Sequence, residues 1–301
     1  MDSNTRDCYF KAGKAISLAL KKASEICKPG MNLLDFTNQV EQVILDAGCN
    51  FGFPLNVSLD SIAAHYSSPI GDTSVIPTHG LLKVDAGAHC NGFLADAAIT
   101  INLGNDEGVY QTLCAAAKEA LDTAISAFRP GHTMHEIGEI IYHIMEKYHV
   151  KPISNLGGHK LSQYNLHAGS FVPNIPQPEN KTIIEEGDVY AIEPFSTNGF
   201  GGIKDGPEIY IYRYKKPRKK NINLADLRIQ QQFKDNFHTL PFSPRWIDFI
   251  PIAQINHVLK KFVSWEVLDY YPVLVERGHG IVAQFEHTVI VEHDGAVVTT
   301  Q

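Results

Sequence analysis

The sequence predicts an α+β fold, and two observations carry this prediction. Helical and strand-like patterns mix along the chain without the regular alternation of strand and helix that a doubly wound sheet requires. Two alternating apolar stretches are interrupted by an Asn-Gly pair at 91–92 and by an Asp-Gly pair at 294–295, which indicates antiparallel hairpins. With 301 residues, 44% of them hydrophobic, the chain can bury a substantial core without disulfides.

The first 50 residues are predicted to form two helices. Apolar residues recur at helical spacing over 5–27, and the Pro-Gly pair at 29–30 ends this helix. Asn32 can cap the second helix, which Gly48 ends. The following segment, 54–68, is predicted as strand and loop.

The remaining elements follow in order along the chain. They are two strands over 81–102, helices at 107–128 and 133–148, and short strands near 165–172, 188–195 and 208–214. The character then changes to helical stretches, opened by the basic run KKPRKK at 215–220. We therefore predict a single domain, 1–301, with a helical subdomain inserted at approximately 215–270 and a hairpin at the C-terminus.

Charge and composition exclude several classes of protein. Acidic residues outnumber basic ones 33 to 26, a net charge of −7, which argues against nucleic acid or an anionic membrane as the main partner. No apolar run reaches the roughly 18–20 residues that span a membrane, and the N-terminus lacks the apolar core of a signal peptide. Five cysteines without a CxxC pair favour a reducing compartment. We therefore expect a cytoplasmic protein with no specific DNA partner and no membrane.

Two carboxylates on the predicted 81–102 hairpin form a candidate metal site. If the Asn-Gly pair is a two-residue turn, Gly87 pairs with Asp96, and Asp85 lies two residues earlier on the same face. The two acids are then diagonal neighbours about 7–8 Å apart, which suits a pair of cations. Two solvated acids on an open face are the alternative, but the apolar neighbours indicate a buried ribbon, where an acid needs a partner.

Three further ligand-type side chains lie in apolar, strand-like segments: His159, Glu193 and Glu286. A lone Glu in such a strand is rare unless something satisfies it. A single site of four carboxylates and one imidazole explains all of these residues, and this oxygen-rich set suits Mn²⁺, Fe²⁺, Co²⁺ or Zn²⁺. The other titratable residues of the hairpin, Lys83 and His89, are expected to face away from Asp85.

These segments together resemble the methionine aminopeptidases, dinuclear hydrolases, from about residue 5 to the end of the chain. The resemblance rests on KVDAGAHCNGFLAD, GGH, AIEPF and QFEHT, which hold five ligand positions in order. The interval of 93 residues from Glu193 to Glu286 is far longer than in type 1 enzymes, and FPLNVSLDSIAAHYSS, LHAG and PFSPRW are similar to type 2. The resemblance implies the pita-bread (creatinase/aminopeptidase) fold with a helical insertion before the last metal ligand, in a compact form like that of archaea.

The resemblance also implies a reaction and a role for each ligand. Asp85 would bind one metal ion, Asp96 and Glu286 would bridge two, and His159 and Glu193 would complete the second site. Glu193 would in addition take and return a proton. The cofactors would be two divalent ions (Co, Mn, Fe or Zn), and the reaction would be removal of the N-terminal methionine from nascent chains and peptides with a small second residue.

Other residues match the substrate site of this family. His65 in AAHYSS and His167 in NLHAG would hydrogen-bond the peptide group of the substrate or the reaction intermediate; for each alone, a core or surface histidine is the alternative. The residue that matches His65 in type 2 enzymes is alkylated by epoxide inhibitors of the fumagillin class. Four residues match positions that line the methionine pocket, with plain core packing as the alternative: Phe53, Pro241, Tyr271 and Ile211.

The chain departs from the family pattern at Asp60, Gly80 and Cys90, none of which is a candidate ligand. A proline-specific peptidase of the prolidase or aminopeptidase P type is one alternative, although such enzymes usually carry an N-terminal domain and lack the helical insertion. A non-catalytic pita-bread protein that binds RNA or proteins is another, although all five ligand positions hold competent side chains. The run at 215–220 is interpreted as a solvated loop, with contact to ribosomal RNA as the alternative. We expect a monomer.

Overall fold

The computed structural model describes residues 1–104, 107–218 and 220–301, which form an α+β fold as predicted. The basic run therefore lies partly outside the described residues, at Lys219. The described helices are Ser3–Ile26 (α1), Leu33–Asp46 (α2), Val109–Ala127 (α3), Met134–Lys147 (α4), Leu224–Phe237 (α5) and Ile252–Ser264 (α6). Among them we find no helix whose length and apolar content would carry it across a membrane.

The strands of the described residues are mostly short, apart from β1, β3, β4, β10 and β12. They are Asn50–Leu59 (β1), Ile62–Ala64 (β2), Gly80–Cys90 (β3), Phe93–Leu103 (β4), Lys151–Pro152 (β5), Gly158–Leu161 (β6), Phe171–Val172 (β7), Val189–Ile192 (β8), Phe195–Thr197 (β9), Ile203–Tyr214 (β10), Pro241–Phe242 (β11), Leu268–Glu276 (β12), Val282–Gln284 (β13), His287–Glu292 (β14) and Gly295–Val298 (β15).

The second helix begins after its predicted cap, Asn32, whereas the first begins at Ser3, two residues before its predicted start. The Asp2 carboxylate accepts the Thr5 N–H at 2.9 Å, and the Asn32 side chain accepts the Asp35 N–H at 3.0 Å. One face of α1 carries small, fully buried residues such as Ala12 and Ala19, so the helix packs closely on β3 and β4. Helix α1 therefore packs against the hairpin formed by β3 and β4.

The β3–β4 hairpin has the register that the Asn-Gly turn predicts. Cys90 pairs with Phe93 and Gly87 pairs with Asp96 without a register shift, and β1 joins the other edge of β3. The C-terminal hairpin is also confirmed, but Glu292 pairs with Gly295, so its two-residue turn begins one residue earlier than predicted.

Several strands differ from the sequence prediction. The strand predicted near 208–214 is the second half of β10, and only Phe171–Val172 of the strand predicted near 165–172 is present. Strands β5, β6, β11 and β12 were not predicted. Strand β12 pairs with β10 along most of its length and β6 pairs with β8. Strands β6 and β12 therefore depend on partners distant in sequence, which local patterns do not reveal.

The helical segment between β10 and β12 has an aromatic core of its own. Phe233, Phe242 and Phe262 are fully buried there. A buried ion pair fastens this segment to α2: the Arg245 guanidinium donates to both Glu41 carboxylate oxygens, at 2.7 and 2.9 Å. Such a bidentate pair fixes both distance and orientation, and it holds the segment that carries Pro241 against the N-terminal half of the chain.

Two of the departures from the family pattern fit together. Gly80 has a positive φ of 122°, and a Cβ atom there would lie 2.6 Å from Asp60 Oδ1. That same oxygen accepts the Leu81 N–H at 2.9 Å. Asp60 therefore occupies the space that a side chain at position 80 would need. Cys90, the third departure, is a free thiol, as are the other four cysteines.

Candidate metal centre

The five ligand-type residues line one cavity of about 230 Å³ and come from two parts of the fold. Asp85 lies on β3 and Asp96 on β4, so the hairpin supplies both. His159 lies on β6, Glu193 directly follows β8, and Glu286 directly precedes β14. These last three belong to neighbouring strands of one sheet, in the order β14-β8-β6.

The donor atoms of these residues converge. One donor atom each of Asp96, His159 and Glu286 lies within 4.8 Å of the other two. His159 Nε2 is 3.6 Å from Asp96 Oδ2 and 3.7 Å from Glu193 Oε1. Asp85 faces the same space, because it lies two residues from Gly87, the partner of Asp96 in the ladder.

The raised pKa values of the carboxyl groups in this cluster indicate that a positive charge would stabilise their ionised forms. Burial raises the pKa of Asp85 to about 7. Burial, followed by repulsion from neighbouring carboxylates, raises the pKa of Asp96, Glu193 and Glu286 well above the usual range. The pKa of His159 is well below its ordinary value because the ring is buried, which keeps the imidazole neutral and able to act as a ligand.

Unpaired oxygens indicate that the cluster is built for cations. Asp85 Oδ1, Asp96 Oδ1 and Glu286 Oε1 are buried and have no hydrogen-bond partner among the described residues. Buried polar atoms are normally satisfied, so an unpaired set that faces one cavity is a strong sign of a missing charge. Carboxylate oxygens with one imidazole are a donor set that divalent transition metals accept. The residues present therefore fit the implied metal site.

Gln284 completes this cluster and was missed by the sequence analysis. Its Nε2 lies 3.3 Å from Oε2 of both Glu193 and Glu286. The signal was available, because Gln284 stands in QFEHT two residues before Glu286 and so shares its side of the strand. Its amide leaves Glu286 Oε1 free to bind another group.

The two predicted substrate-site histidines line the same cavity. The ring centroids of His159 and His167 are 4.4 Å apart, and those of His65 and Tyr271 are 5.4 Å apart. His65 is half-buried, and burial lowers its pKa to about 4, so its imidazole is neutral near pH 7. His167 is exposed.

The hydrogen bonds of His65 define the orientation of its ring. Nδ1 lies 3.1 Å from the Pro272 carbonyl oxygen. A carbonyl oxygen can only accept, so Nδ1 carries the proton and Nε2 is left as an acceptor. The backbone N–H of His65 donates to Asn56 Oδ1 at 2.6 Å. Asn56 also lines the cavity and was not singled out in the sequence.

The predicted methionine pocket forms an apolar wall of the cavity. All four of its candidate residues line this cavity: Phe53, Ile211, Pro241 and Tyr271. Leu156, Leu166 and Phe171 extend the wall and were missed. Only Leu166 had a sequence signal, since it precedes His167 in NLHAG. The Tyr271 hydroxyl is buried without a partner among the described residues, so the wall is not purely apolar.

The prediction that Lys83 faces away from Asp85 was wrong. The β3 ladder is regular, and residues two apart on a strand share a face. Lys83 nevertheless does not pair with Asp85, because its Nζ donates to the Asp60 and Val282 carbonyl oxygens at 2.9 and 3.0 Å. Burial lowers the pKa of this lysine to about 7.

The same parity argument was wrong for His89, which lies four residues from Asp85 on β3. The Phe53 ring packs directly over Gly87, between the two positions, and separates them. His89 Nδ1 instead accepts the Gly92 N–H at 3.0 Å within the turn.

Metal binding should stabilise the protein more at pH 8 than at pH 6. The metal-free fold favours protonated carboxyls: for Asp85, the resulting stability is fully present below its ordinary pKa, near 4, and is lost as pH rises through about 7. A bound cation needs the ionised forms, so it displaces protons and binds more tightly as pH rises. We therefore expect the difference in melting temperature between Mn²⁺-loaded and EDTA-treated protein to increase from pH 6 to pH 8.

Thermal melts of the two samples at matched pH values measure this difference. The titrations of Lys83 and His65 contribute to both samples and largely cancel in the comparison. A metal-induced shift that stays constant from pH 6 to pH 8 would contradict the assignment of these carboxyls as ligands.

Comparison with known proteins agrees with this geometry. The model of metallopeptidase family M24 matches residues 7–293. The chain is 39% identical over 296 residues to a methionine aminopeptidase of Methanothermobacter thermautotrophicus, covering 98% of each chain. It is 40% identical over 297 residues to a methionine aminopeptidase of Pyrococcus horikoshii, covering 98% of this chain and 99% of the relative.

Among solved structures, a thermophilic Arx1 is similar in fold, with a TM-score of 0.85 at 16% identity; the match covers 99% of this chain and 91% of that one. A likeness at this identity concerns the fold alone, whereas the two archaeal relatives match over nearly their whole length. The chain therefore belongs to metallopeptidase family M24 and, within it, to the methionine aminopeptidases, metal-dependent hydrolases that remove an N-terminal methionine.

Proposed function

We propose that this chain removes the N-terminal methionine from peptides and nascent chains with a small second residue, using two divalent metal ions. The observation that carries this proposal is the convergence of five ligand-type residues, with unpaired buried oxygens, beside an apolar wall in one cavity. The proposed ligands are Asp85, Asp96, His159, Glu193 and Glu286. Co, Mn, Fe and Zn all accept such donors.

The position of each ligand supports its proposed role. Asp96 lies between its hairpin neighbour Asp85 and the His159 ring, which supports a bridging role. Glu286 is close to both Asp96 and His159 and is the second proposed bridge. Divalent ions in such a site supply a water of lowered pKa and stabilise negative charge on the scissile carbonyl oxygen.

Glu193 is the proposed general acid–base. Its pKa is raised by burial and by the neighbouring carboxylates Asp96 and Asp85, so it can hold a proton more readily than an exposed carboxylate. It would take the proton of the attacking water and return it to the leaving amine.

His65 and His167 are proposed to orient the substrate. Nε2 of His65 is the acceptor nitrogen, so it suits a peptide N–H of the substrate. His167 lies beside His159 and can contact the same peptide group from the metal side. Phe53, Pro241 and Tyr271 would hold the methionine side chain, because thioethers pack favourably on apolar and aromatic surfaces.

The type 2 form and the domain organisation are part of the proposal. The interval before the last ligand contains α5 and α6 around their own aromatic core, which supports a helical subdomain at approximately 215–270 within a single domain, 1–301. The unpredicted β12 begins at Leu268, close to the proposed boundary. We propose a cytoplasmic monomer.

The described part of the basic run favours a solvated loop over a ribosomal RNA contact. Lys216 pairs with Glu266 at 2.6 Å, and the Arg218 guanidinium lies 4.4 Å from the ring centre of Trp265. Cations already engaged within the chain are less available to phosphate groups.

Metal-stripped protein, reloaded with one metal at a time, tests the proposed reaction. With Co²⁺ or Mn²⁺ we expect methionine release from Met-Ala-Ser, and little from peptides with Lys, Asp or Phe in second position. An Ala-Pro peptide is the control substrate. Faster cleavage of Ala-Pro would favour a proline-specific peptidase, and inactivity with every metal would favour a binding protein.

A further inference from the structure

The backbone of His65 is in an unfavourable conformation. Its φ is 67°, in the left-handed region that costs a non-glycine residue roughly 1 kcal/mol or more. His65 directly follows the short strand β2, whose Ala64 pairs with Leu274 of β12. Such a conformation persists only where surrounding contacts hold it, so the contacts of this backbone matter for the direction of the imidazole.

One side chain provides such a contact. Asn56 is 3% exposed, lies on β1 and lines the metal cavity. Its Oδ1 accepts the His65 backbone N–H at 2.6 Å, and its Nδ2 donates to the Pro54 carbonyl oxygen at 2.8 Å. The two partners fix the amide orientation, since the N–H can only donate and the carbonyl can only accept.

Backbone pairing on both sides of Asn56 connects it to the metal-centre hairpin and to the His65 segment. Strand β1 pairs with β3 through Asn56 and Asp85. The next residue, Val57, donates its N–H to the Tyr66 carbonyl oxygen at 2.7 Å. The carboxamide therefore connects the strand that adjoins the proposed metal ligands to the residue that carries the proposed substrate acceptor.

We infer that Asn56 is a positioning residue that fixes His65 in its left-handed conformation and so aims Nε2 into the cavity. The Pro272 carbonyl holds the ring from one side, and Asn56 holds the backbone from the other. Without the Asn56 acceptor, the His65 N–H would be left unpaired and the backbone would relax toward the ordinary regions. This inference rests on the proposed role of His65, and Asn56 acts only through it.

The test is a double-mutant cycle on the metal-loaded protein. Asn56→Ala removes the acceptor, and Asn56→Leu removes it while retaining a side chain of similar size, in case the alanine variant folds poorly. We expect either change to lower kcat/KM roughly 10–100-fold, mainly through kcat, because a small misplacement of a catalytic group has effects of this size. Metal affinity measured by calorimetry should change far less than kcat/KM, because the Asn56 carboxamide hydrogen-bonds to Pro54 and His65, neither of which is a proposed metal ligand.

Ser58→Ala is the matched control. Ser58 lies two residues along the same strand, is 1% exposed, and its Oγ has no hydrogen-bond partner among the described residues. Ser58 therefore matches Asn56 in location and burial, but its side chain holds no other described residue through a hydrogen bond. Its replacement should leave kcat/KM nearly unchanged.

The background variant His65→Ala separates failure of the inference from failure of the proposed function. In that background, Asn56→Ala should cause almost no further loss, since groups that act as a unit are not additive. The inference alone would be overturned if Asn56→Ala lowered kcat/KM by the same factor in the His65→Ala background as in the unmodified protein. It would also be overturned if both Asn56 variants were fully active. Full activity of His65→Ala itself would overturn the proposed role of His65. The inferred positioning role of Asn56 would then have no basis.

Discussion

Asp96→Asn and Glu286→Gln should each remove most of the activity and weaken metal binding. Both side chains are almost fully buried, at 3% and 1% exposure, and both carry an unpaired oxygen that faces the cavity. An amide keeps the size of the side chain but removes the negative charge that two neighbouring cations would share. Elemental analysis and calorimetry measure metal content, and hydrolysis of a Met-Ala-Ser peptide measures activity.

The same two variants should behave oppositely in the absence of metal. Burial, followed by repulsion among the carboxylates, raises the pKa of Asp96 and Glu286, and a neutral amide relieves both penalties. In EDTA at pH 8, where the native carboxyls are driven to ionise, we expect each variant to melt at a higher temperature than the unmodified protein. Lower stability would indicate damage to the fold rather than loss of a ligand.

Asp235→Asn is the control for removal of an acidic charge. Asp235 is exposed on α5, where its carboxylate accepts the Gln231 amide N–H at 2.6 Å. Its replacement should change neither activity nor metal content. Full occupancy of two metal ions in both Asp96→Asn and Glu286→Gln would show that these residues do not bridge.

The first pair of the candidate metal cluster could be placed from sequence because it depends on a local feature. An Asn-Gly dipeptide between two alternating stretches determines the turn and the register, and the register puts Asp85 and Asp96 on one face. His159, Glu193 and Glu286 were singled out as ligand-type side chains in apolar, strand-like segments. Their individual roles required the family resemblance, because nothing local shows that their strands are neighbours in one sheet.

Other features depend on contacts that no local pattern reveals. Strand β12 is stabilised by pairing with β10, more than 50 residues earlier in the chain. Lys83 lies on the face of Asp85 but is drawn to two carbonyl oxygens, one of them on β13. The left-handed conformation of His65 likewise arises from tertiary contacts that hold it, including one from Asn56, and histidine itself gives no such signal.

His65→Ala should lower kcat/KM roughly 10²–10³-fold, as for loss of one hydrogen bond made in the transition state. The imidazole lines the cavity but is proposed to contact substrate rather than metal, so metal affinity should stay near that of the unmodified protein. Nε2 is the free, unprotonated nitrogen of a neutral ring. It is therefore the expected nucleophile toward fumagillin-type epoxides, and the variant should not be labelled by them.

A structural role for His65 makes a different prediction, and His287→Ala provides the comparison. His287 follows Glu286 but faces the other side of β14, where its Nδ1 lies 2.8 Å from Thr300 Oγ1. Its replacement should lower the melting temperature modestly while labelling at His65 remains. His65→Ala should give the reverse: a normal melting curve and normal metal content with almost no activity. The reason is that the contact of His65 Nδ1 with Pro272 serves to orient the imidazole ring more than to stabilise the fold. A clear fall in melting temperature in His65→Ala, with activity reduced only in proportion to the folded fraction, would assign His65 to the fold and remove it from the catalytic residues.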